Sequence, residues 1–365
     1  MNASLARIVA VARIEWLRLL RARTTFTLLL LVPAMQVVLF GYAIQPTATS
    51  VTVAIAADNP ASAGRVADAL RVEPGIRVGA TLAPGDAAAA VRRGTALVGI
   101  EVPPAASLAS IFGATRPLRV IVDATNPALT AAIVPRIEAA YWRAVATHAH
   151  ASGAPVLTIE RLFNPHERAD WSFLPALIGV VIMISSIMLG SLSLAREREI
   201  GTWEALLALP VSAVEVLIGK LLPYVVTGTA QGLVAIGAGV VLFDMPVRGS
   251  LSALVLLLPL FAAAHLALGY VIASRAATQL EALQGAVAFY LPAMLLSGFL
   301  YPAETLPGWA RGLGAIFPLT HLIRAARGAT LRGDGAAAVL LHGLPIALFL
   351  AAMLVLLGVL RRRVD

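Results

Sequence analysis

Apolar residues are distributed along this chain in two different rhythms. Residues 24–44 form the first long run, 21 positions without a charge, which at about 1.5 Å per residue matches the roughly 30 Å of a bilayer core. Five more runs of spanning length follow at 173–195, 217–243, 251–273, 283–300 and 336–360. A cleaved signal peptide is the alternative for the first run, because basic residues precede it and Ala43, Thr47 and Ala48 follow it. The basic region is too long for a typical signal, so an uncleaved anchor fits better. Ahead of that run Ile8, Val11, Ile14, Leu17 and Leu20 recur at helical spacing. This predicts an amphipathic helix over residues 1–23 that lies on the inner membrane surface.

Residues 46–170 break the apolar pattern with short β-type runs that alternate with helix-type ones. Strands are predicted at 51–56, 75–81, 96–102, 118–123 and 156–162, and helices at 60–71, 84–94 and 127–150. The predicted fold is an α-helical integral membrane protein with six transmembrane helices, plus an α/β extracytoplasmic domain inserted between helices 1 and 2. The first span then covers 24–45, the later five lie within 171–360, and a basic tail closes the chain at 361–365.

Composition supports a membrane body. Hydrophobic residues make up 59% of the 365 and charged residues only 13%, against about 25% charged in ordinary soluble proteins. The formal net charge is +8, and Lys220 is the one lysine among 28 basic residues. Such an excess raises the question of nucleic acid, but its distribution answers it. Residues 46–170 hold 11 arginines against 10 acids, whereas residues 1–23 hold five arginines against Glu15 alone. Arg361, Arg362 and Arg363 stand at the other end. Both termini therefore read as cytoplasmic, since positive charge is retained on that side. No basic patch is interleaved with aromatic residues, so a nucleic-acid partner is not expected. The absence of cysteine removes disulfides, thiol nucleophiles and zinc–thiolate sites. His148 and His150 do not share a helix face and His166 stands alone, so no metal site is expected.

One segment departs from the charge rule. Residues 301–335, outside in this topology, carry Arg311, Arg324, Arg327 and Arg332 against Glu304 and Asp334. Their apolar pieces at 313–316 and 317–323 are too short to span and are interrupted by Gly312, Gly314 and Pro318. A re-entrant hairpin and an ordinary amphipathic loop helix both fit.

The most informative segment follows the second span. Arg196, Glu197, Arg198 and Glu199 alternate in charge just beyond the apolar run, then Ile200, Trp203, Leu206 and Leu207 build an apolar stripe before Pro210. This describes either a docking helix or a membrane-surface helix with its tryptophan at the headgroups. Polar groups within the spans are candidates for a substrate path, because they are costly in lipid and turn inward. They are Ser185, Ser186, Gln231, His265, Tyr290 and Ser297. Packing is the competing reading for the serines, and an interhelical hydrogen bond for His265. Gly228 and Gly232 form a Gly-x-x-x-Gly pattern that reads first as close helix contact. No Asp or Glu lies in the middle of a span, which argues for an external energy source.

The run from Arg196 through Glu197, Arg198, Glu199, Gly201, Thr202, Trp203, Glu204, Leu206, Leu207 and Pro210 to Ser212 closely resembles the signature loop of type 2 ABC exporter permeases, and the match continues over Gly219 to Tyr224. A second match, Leu296 to Glu304 with Phe317 to His321 and Arg324 to Gly328, resembles that family's last outer hairpin. Weaker matches lie at Val122-Asp123 and at Leu162 to Pro165. The resemblance implies a multidrug efflux-like permease in a bacterial cytoplasmic membrane, with a coupling helix in the loop at 196–214. It further implies cytoplasmic ABC ATPase subunits, a second permease chain in a homodimer or heterodimer, and, by analogy, a periplasmic adaptor on the outer domain. Trp203, Leu206 and Leu207 would be the buried contacts with the ATPase, and Glu197, Glu199 and Glu204 its charge partners. ATP and magnesium would bind the partner, with no cofactor and no catalytic site in this chain. The residues agree: Gly219-Lys220 is followed by Leu221 and preceded at the required position by Val214, so the phosphate-binding loop pattern fails. Lys220 reads as a residue snorkelling to the inner interface. The rival reading is a membrane-anchored ligand-binding or sensor protein, whose expected cytoplasmic signalling domain has no counterpart among the short inner segments.

Overall fold

The computed structural model describes residues 3–21, 51–73, 76–103, 118–125, 127–147, 157–166, 168–201, 212–300, 303 and 306–361. The run at 24–44, residues 202–211 and residues 362–365 lie outside the described residues. The chain divides into two compact units, one of Ile44–Ser172 with Leu300–Arg311, the other of Met1–Ala43 with Phe173–Phe299 and Gly312–Asp365.

The first unit is built on β1 (Val51–Ala56), α2 (Pro60–Arg71), β2 (Ile76–Leu82), α3 (Asp86–Arg92), β3 (Val98–Glu101), β4 (Leu118–Asp123), α4 (Pro127–Thr147) and β5 (Leu157–Leu162). The label α1 belongs to the earlier helix Ala3–Arg21 of the second unit. The strands form one sheet in the order β2-β1-β3-β4-β5, parallel except where β3 meets β4. A mostly parallel sheet needs cover on both faces, and the side-chain alternation supplies it. Val53, Ile55, Val98, Ile100, Val120 and Val122 pack with Val66 and Leu70 of α2 and with Ile133, Ile137 and Tyr141 of α4. The intervening Ala56 and Ile121 pack on Ala87 and Val91 of α3. Local signals set the ends: Asn59 caps α2 by accepting from the Ala61 amide at 2.9 Å, with Pro60 at the first helical position.

The second unit is helical. After α1 come α5 (Ala169–Ile200), which begins in the first unit, α6 (Ala213–Phe243), α7 (Leu251–Ala273), α8 (Gln279–Leu296), α9 (Gly308–Gly314), which likewise begins in the first unit, α10 (Pro318–Arg327), a π-helical turn (Gly328–Arg332), α11 (Ala336–Leu341) and α12 (Gly343–Arg361). Among the described residues four stretches are long and apolar enough to cross a bilayer: Asp170–Ile200, Glu215–Phe243, Leu251–Ala273 and Ala336–Leu360. Of the six expected spans, the first lies outside the described residues. The fifth is the 18-residue α8, whose opening turns carry Gln279, Glu281 and Gln284. The spanning window of α5 is 78% buried and that of the last stretch only 11%, so α5 is the central helix and α12 a peripheral one. Close crossings hold α5 in place. A Cβ on Gly190 would lie 2.6 Å from the Leu266 carbonyl oxygen of α7, and one on Gly232 would lie 2.7 Å from Ile182. The Gly-x-x-x-Gly reading as close helix contact therefore agrees with the packing of α5 against α6 and α7.

The hairpin residues form short packed helices. Leu319 and Leu322 of α10 pack over Gly179 of α5. The α6–α7 connection is tied to the π-helical turn by Gly249 N–H to Ala329 oxygen at 2.8 Å and Arg248 N–H to Thr330 oxygen at 3.2 Å. Two of the arginines that broke the charge rule donate to backbone carbonyls, Arg327 to Gly298 at 3.3 Å and Arg311 to Leu306 at 3.4 Å. Arg248 of the α6–α7 connection donates likewise to Leu331 at 3.3 Å.

Candidate functional site: a charged junction at the end of α5

The helix expected to stop near residue 195 continues to Ile200, so the alternating charges stay on helical turns. Gly201, at φ 77, ends it in the left-handed conformation that favours glycine. Across residues 202–211, α6 opens with a reciprocal cap: Glu215 N–H donates to Ser212 Oγ and Ser212 N–H donates to Glu215 Oε2 at 2.8 Å. Thr202, Trp203, Glu204, Leu206, Leu207 and Pro210 lie outside the described residues, between these two defined ends.

Successive side chains of the motif point to different neighbours, as a helical 100° step requires. Arg196 is exposed. Glu197 is 7% exposed and forms ion pairs with Lys220 of α6 and, at 3.6 Å, with Arg18 of α1. Arg198 donates to the Ser274 carbonyl at 2.6 Å, at the C-terminal end of α7, where a cation is favoured. Glu199 accepts from the side chain of Gln279 at 2.7 Å and from its backbone N–H at 3.4 Å, at the N-terminal end of α8. Arg198 and Glu199 therefore grip the two ends of the α7–α8 connection, each with the charge that matches the helix terminus.

A second line of contacts extends the junction to α1. Glu15, 6% exposed, accepts from the Tyr224 hydroxyl of α6 at 2.7 Å and pairs with Arg18 at 3.4 Å. Two buried carboxylates thus meet two cations and one phenol, within an apolar surround of Trp16, Leu189, Leu221 and Leu266. Close packing holds α1 in place: a Cβ on Gly219 would lie 2.8 Å from Val11 Cβ and 2.9 Å from the Ile8 oxygen. Ile8 and Val11 therefore face α6, while Ile14, Leu17 and Leu20 are exposed. The stripe read as one membrane-facing surface is divided between two faces, because a strict three-residue step drifts around a helix of 3.6 residues per turn.

Two sequence readings are corrected here. Lys220 does not snorkel: it is 2% exposed and held by Glu197. Glu197 is turned into the chain and is not presented to an outside partner, since α6 brings the lysine against it. Glu15, Arg18, Lys220 and Tyr224 were not predicted as site residues. A signal existed in the lone acid of a basic helix and the one lysine of an arginine-rich chain.

The path candidates do not converge on one place. Ser185 donates to Gln231 at 2.5 Å and to its own helix at Val181 oxygen, 2.8 Å. Ser186 is buried beside Gly228. His265 lies in a separate aromatic environment, Tyr290 is half-buried on α8, and Ser297 bonds back to the Met294 oxygen at 3.3 Å.

Long apolar helices packed on α5, with a buried ionic junction at its end, are the architecture of a polytopic membrane protein. A sequence profile for ABC-2 family transporter proteins matches residues 23–360, and the chain belongs to that family of type 2 ABC permeases. It is 28% identical over 320 residues to the probable multidrug ABC transporter permease YbhR of Escherichia coli K12, covering 86% of this chain and 87% of the relative. It is 29% identical over 227 residues to the probable multidrug ABC transporter permease YbhS of the same strain, covering 60% of each. Its match to ABC transporter G family member 20 of Dictyostelium discoideum is 24% over 216 residues, 59% of this chain and 30% of that one.

Proposed function

We infer that the chain is the membrane-spanning subunit of an ATP-driven exporter in the bacterial inner membrane. It moves hydrophobic or amphipathic, drug-like or lipid-like compounds outward, in line with the multidrug names of its relatives. Cytoplasmic ABC ATPase subunits hydrolyse ATP with magnesium, and a second permease chain completes the assembly. The residues of the α/β unit face the periplasm and meet an adaptor there.

One observation carries this reading. The motif that precedes the loop is wired to three other places: Lys220 on α6, Arg18 on α1, and the α7–α8 connection. A pull on residues 202–211 by an ATPase would reach all of them through ion pairs and helix-end contacts. In this mechanism Trp203, Leu206 and Leu207 dock on the ATPase, Glu204 and Arg196 supply its charge contacts, and Glu197 passes the movement inward. Buried ion pairs suit such a task, because breaking one member is strongly unfavourable and the elements move together.

Inside-out vesicles holding the chain and its co-purifying ATPase provide the test. ATP should drive accumulation of a lipophilic dye, and Trp203→Ala with Glu204→Lys should weaken ATPase association and stop accumulation. Vesicles that accumulate nothing with ATP would rule out the exporter, and unchanged association in the double variant would rule out the loop as the coupling element.

A further inference from the structure

His265 lies midway along α7 and is fully buried. Its Nδ1 stands 2.9 Å from the Phe261 carbonyl oxygen, one turn back on the same helix. A carbonyl only accepts, so Nδ1 carries the ring proton and Nε2 presents a lone pair. With Nδ1 engaged on its own helix, Nε2 is at the far end of the ring, directed away from that backbone. Among the described residues it has no hydrogen-bond partner. An acceptor buried without a donor is costly, and native structures rarely leave one so without a reason.

The rings around it form a row. Phe261 stands 4.2 Å from the His265 ring and Phe349 of α12 stands 6.2 Å from it. Phe289 of α8 follows at 6.2 Å from Phe349, and Phe317, the residue that opens α10, at 5.4 Å from Phe289. Phe261 and His265 are buried, whereas Phe349, Phe289 and Phe317 are half-buried. The row thus leads from half-buried rings to the buried imidazole of His265. The four helices that supply it, α7, α8, α10 and α12, contain a single carboxylate, Glu281 in the first turn of α8. A compact ammonium would find no counter-ion there. Aromatic faces instead attract delocalised positive charge, and Nε2 accepts an N–H.

We propose that this row is a ligand site for aromatic cations that prefers those carrying an N–H group, with the N–H bonded to His265 Nε2 and the rings against Phe261, Phe349 and Phe289. Its use in transport rests on the permease reading above. Binding at the row does not.

The test uses the full chain in lipid nanodiscs and two aromatic cations, proflavine with N–H groups and tetraphenylphosphonium without any. His265→Phe keeps the ring and removes the acceptor. It should weaken proflavine about tenfold, the size of one hydrogen bond, and leave tetraphenylphosphonium within about twofold, which also shows that the variant is folded. Phe349→Leu, which removes ring surface shared by both ligands, should weaken both. Proflavine binding unchanged in His265→Phe overturns the proposal, as does equal loss of both ligands in a variant that melts like the wild type. Vesicle uptake separates the two readings. ATP-driven uptake of tetraphenylphosphonium with no His265-dependent preference for proflavine sinks the site and keeps the permease. Proflavine bound through His265 but never moved by ATP sinks the permease and keeps the site.

Discussion

The junction at the end of α5 and the hairpin helices use the same residue type in opposite ways. At the junction Arg18 meets the carboxylates of Glu15 and Glu197, and Lys220 shares Glu197 with it. In the hairpin Arg327, and in the α6–α7 connection tied to it Arg248, donate to the backbone carbonyls of Gly298 and Leu331. A carboxylate on a side chain swings and exchanges partners. A carbonyl near the end of a helix is fixed by the backbone and needs a donor there permanently. The junction is therefore suited to transmitting displacement between helices, and the hairpin to resisting it. This contrast also gives Arg327 and Arg311 of the hairpin a physical role where the charge rule offered none.

The largest test of that contrast is Lys220→Met. It removes the buried cation that Glu197 faces and leaves it with the exposed Arg18, which should cost about 3–5 kcal/mol of stability, read as a lower melting temperature in detergent together with loss of ATP-driven transport. The exchange Glu197→Lys with Lys220→Glu should recover part of both. A Lys220→Met chain that melts and transports like the wild type would remove the junction from the mechanism.

Tyr224→Phe comes next. It deletes one hydroxyl-to-carboxylate bond of 2.7 Å and should cost about 1.5–3 kcal/mol, with ATP hydrolysis retained and transport per ATP reduced. Arg327→Met sharpens the other side of the comparison. Removing a donor to a helix-end carbonyl should cost about 1 kcal/mol and lower melting while transport per ATP holds steady. Were it to uncouple transport instead, the division between a moving and a static region would fail. The smallest effect belongs to Arg18→Ala: its side chain is 63% exposed, so its pairs are screened, and a loss below about 1 kcal/mol that fades with added salt is expected.

Much of the fold was legible beforehand. The strands at 51–56 and 118–123 occur at those residues because runs such as Val-Thr-Val-Ala-Ile-Ala suit a sheet buried on both faces. The long apolar helices at 217–243 and 251–273 were equally plain. Less legible was the end of α5, because the apolar run stops at 195 while the helix continues until Gly201 ends it. The site was half legible. The motif Arg196–Glu199 could be recognised as a unit, but its partners could not, since Arg18, Ser274 and Gln279 lie far from it along the chain.

What the sequence determined by itself, then, is whatever depends on each segment's own surface. Apolar length, strand alternation, caps at Asn59 and Ser212, and the family of the loop motif are all local properties that no distant residue needs to supply. Only the tertiary structure decided which charges meet. Lys220 could as well have reached for the interface, and Glu197 for another protein. Packing of α1 and α6 against the end of α5 brought them together, and burial made the pairing obligatory, because neither charge is stable in an apolar interior without the other.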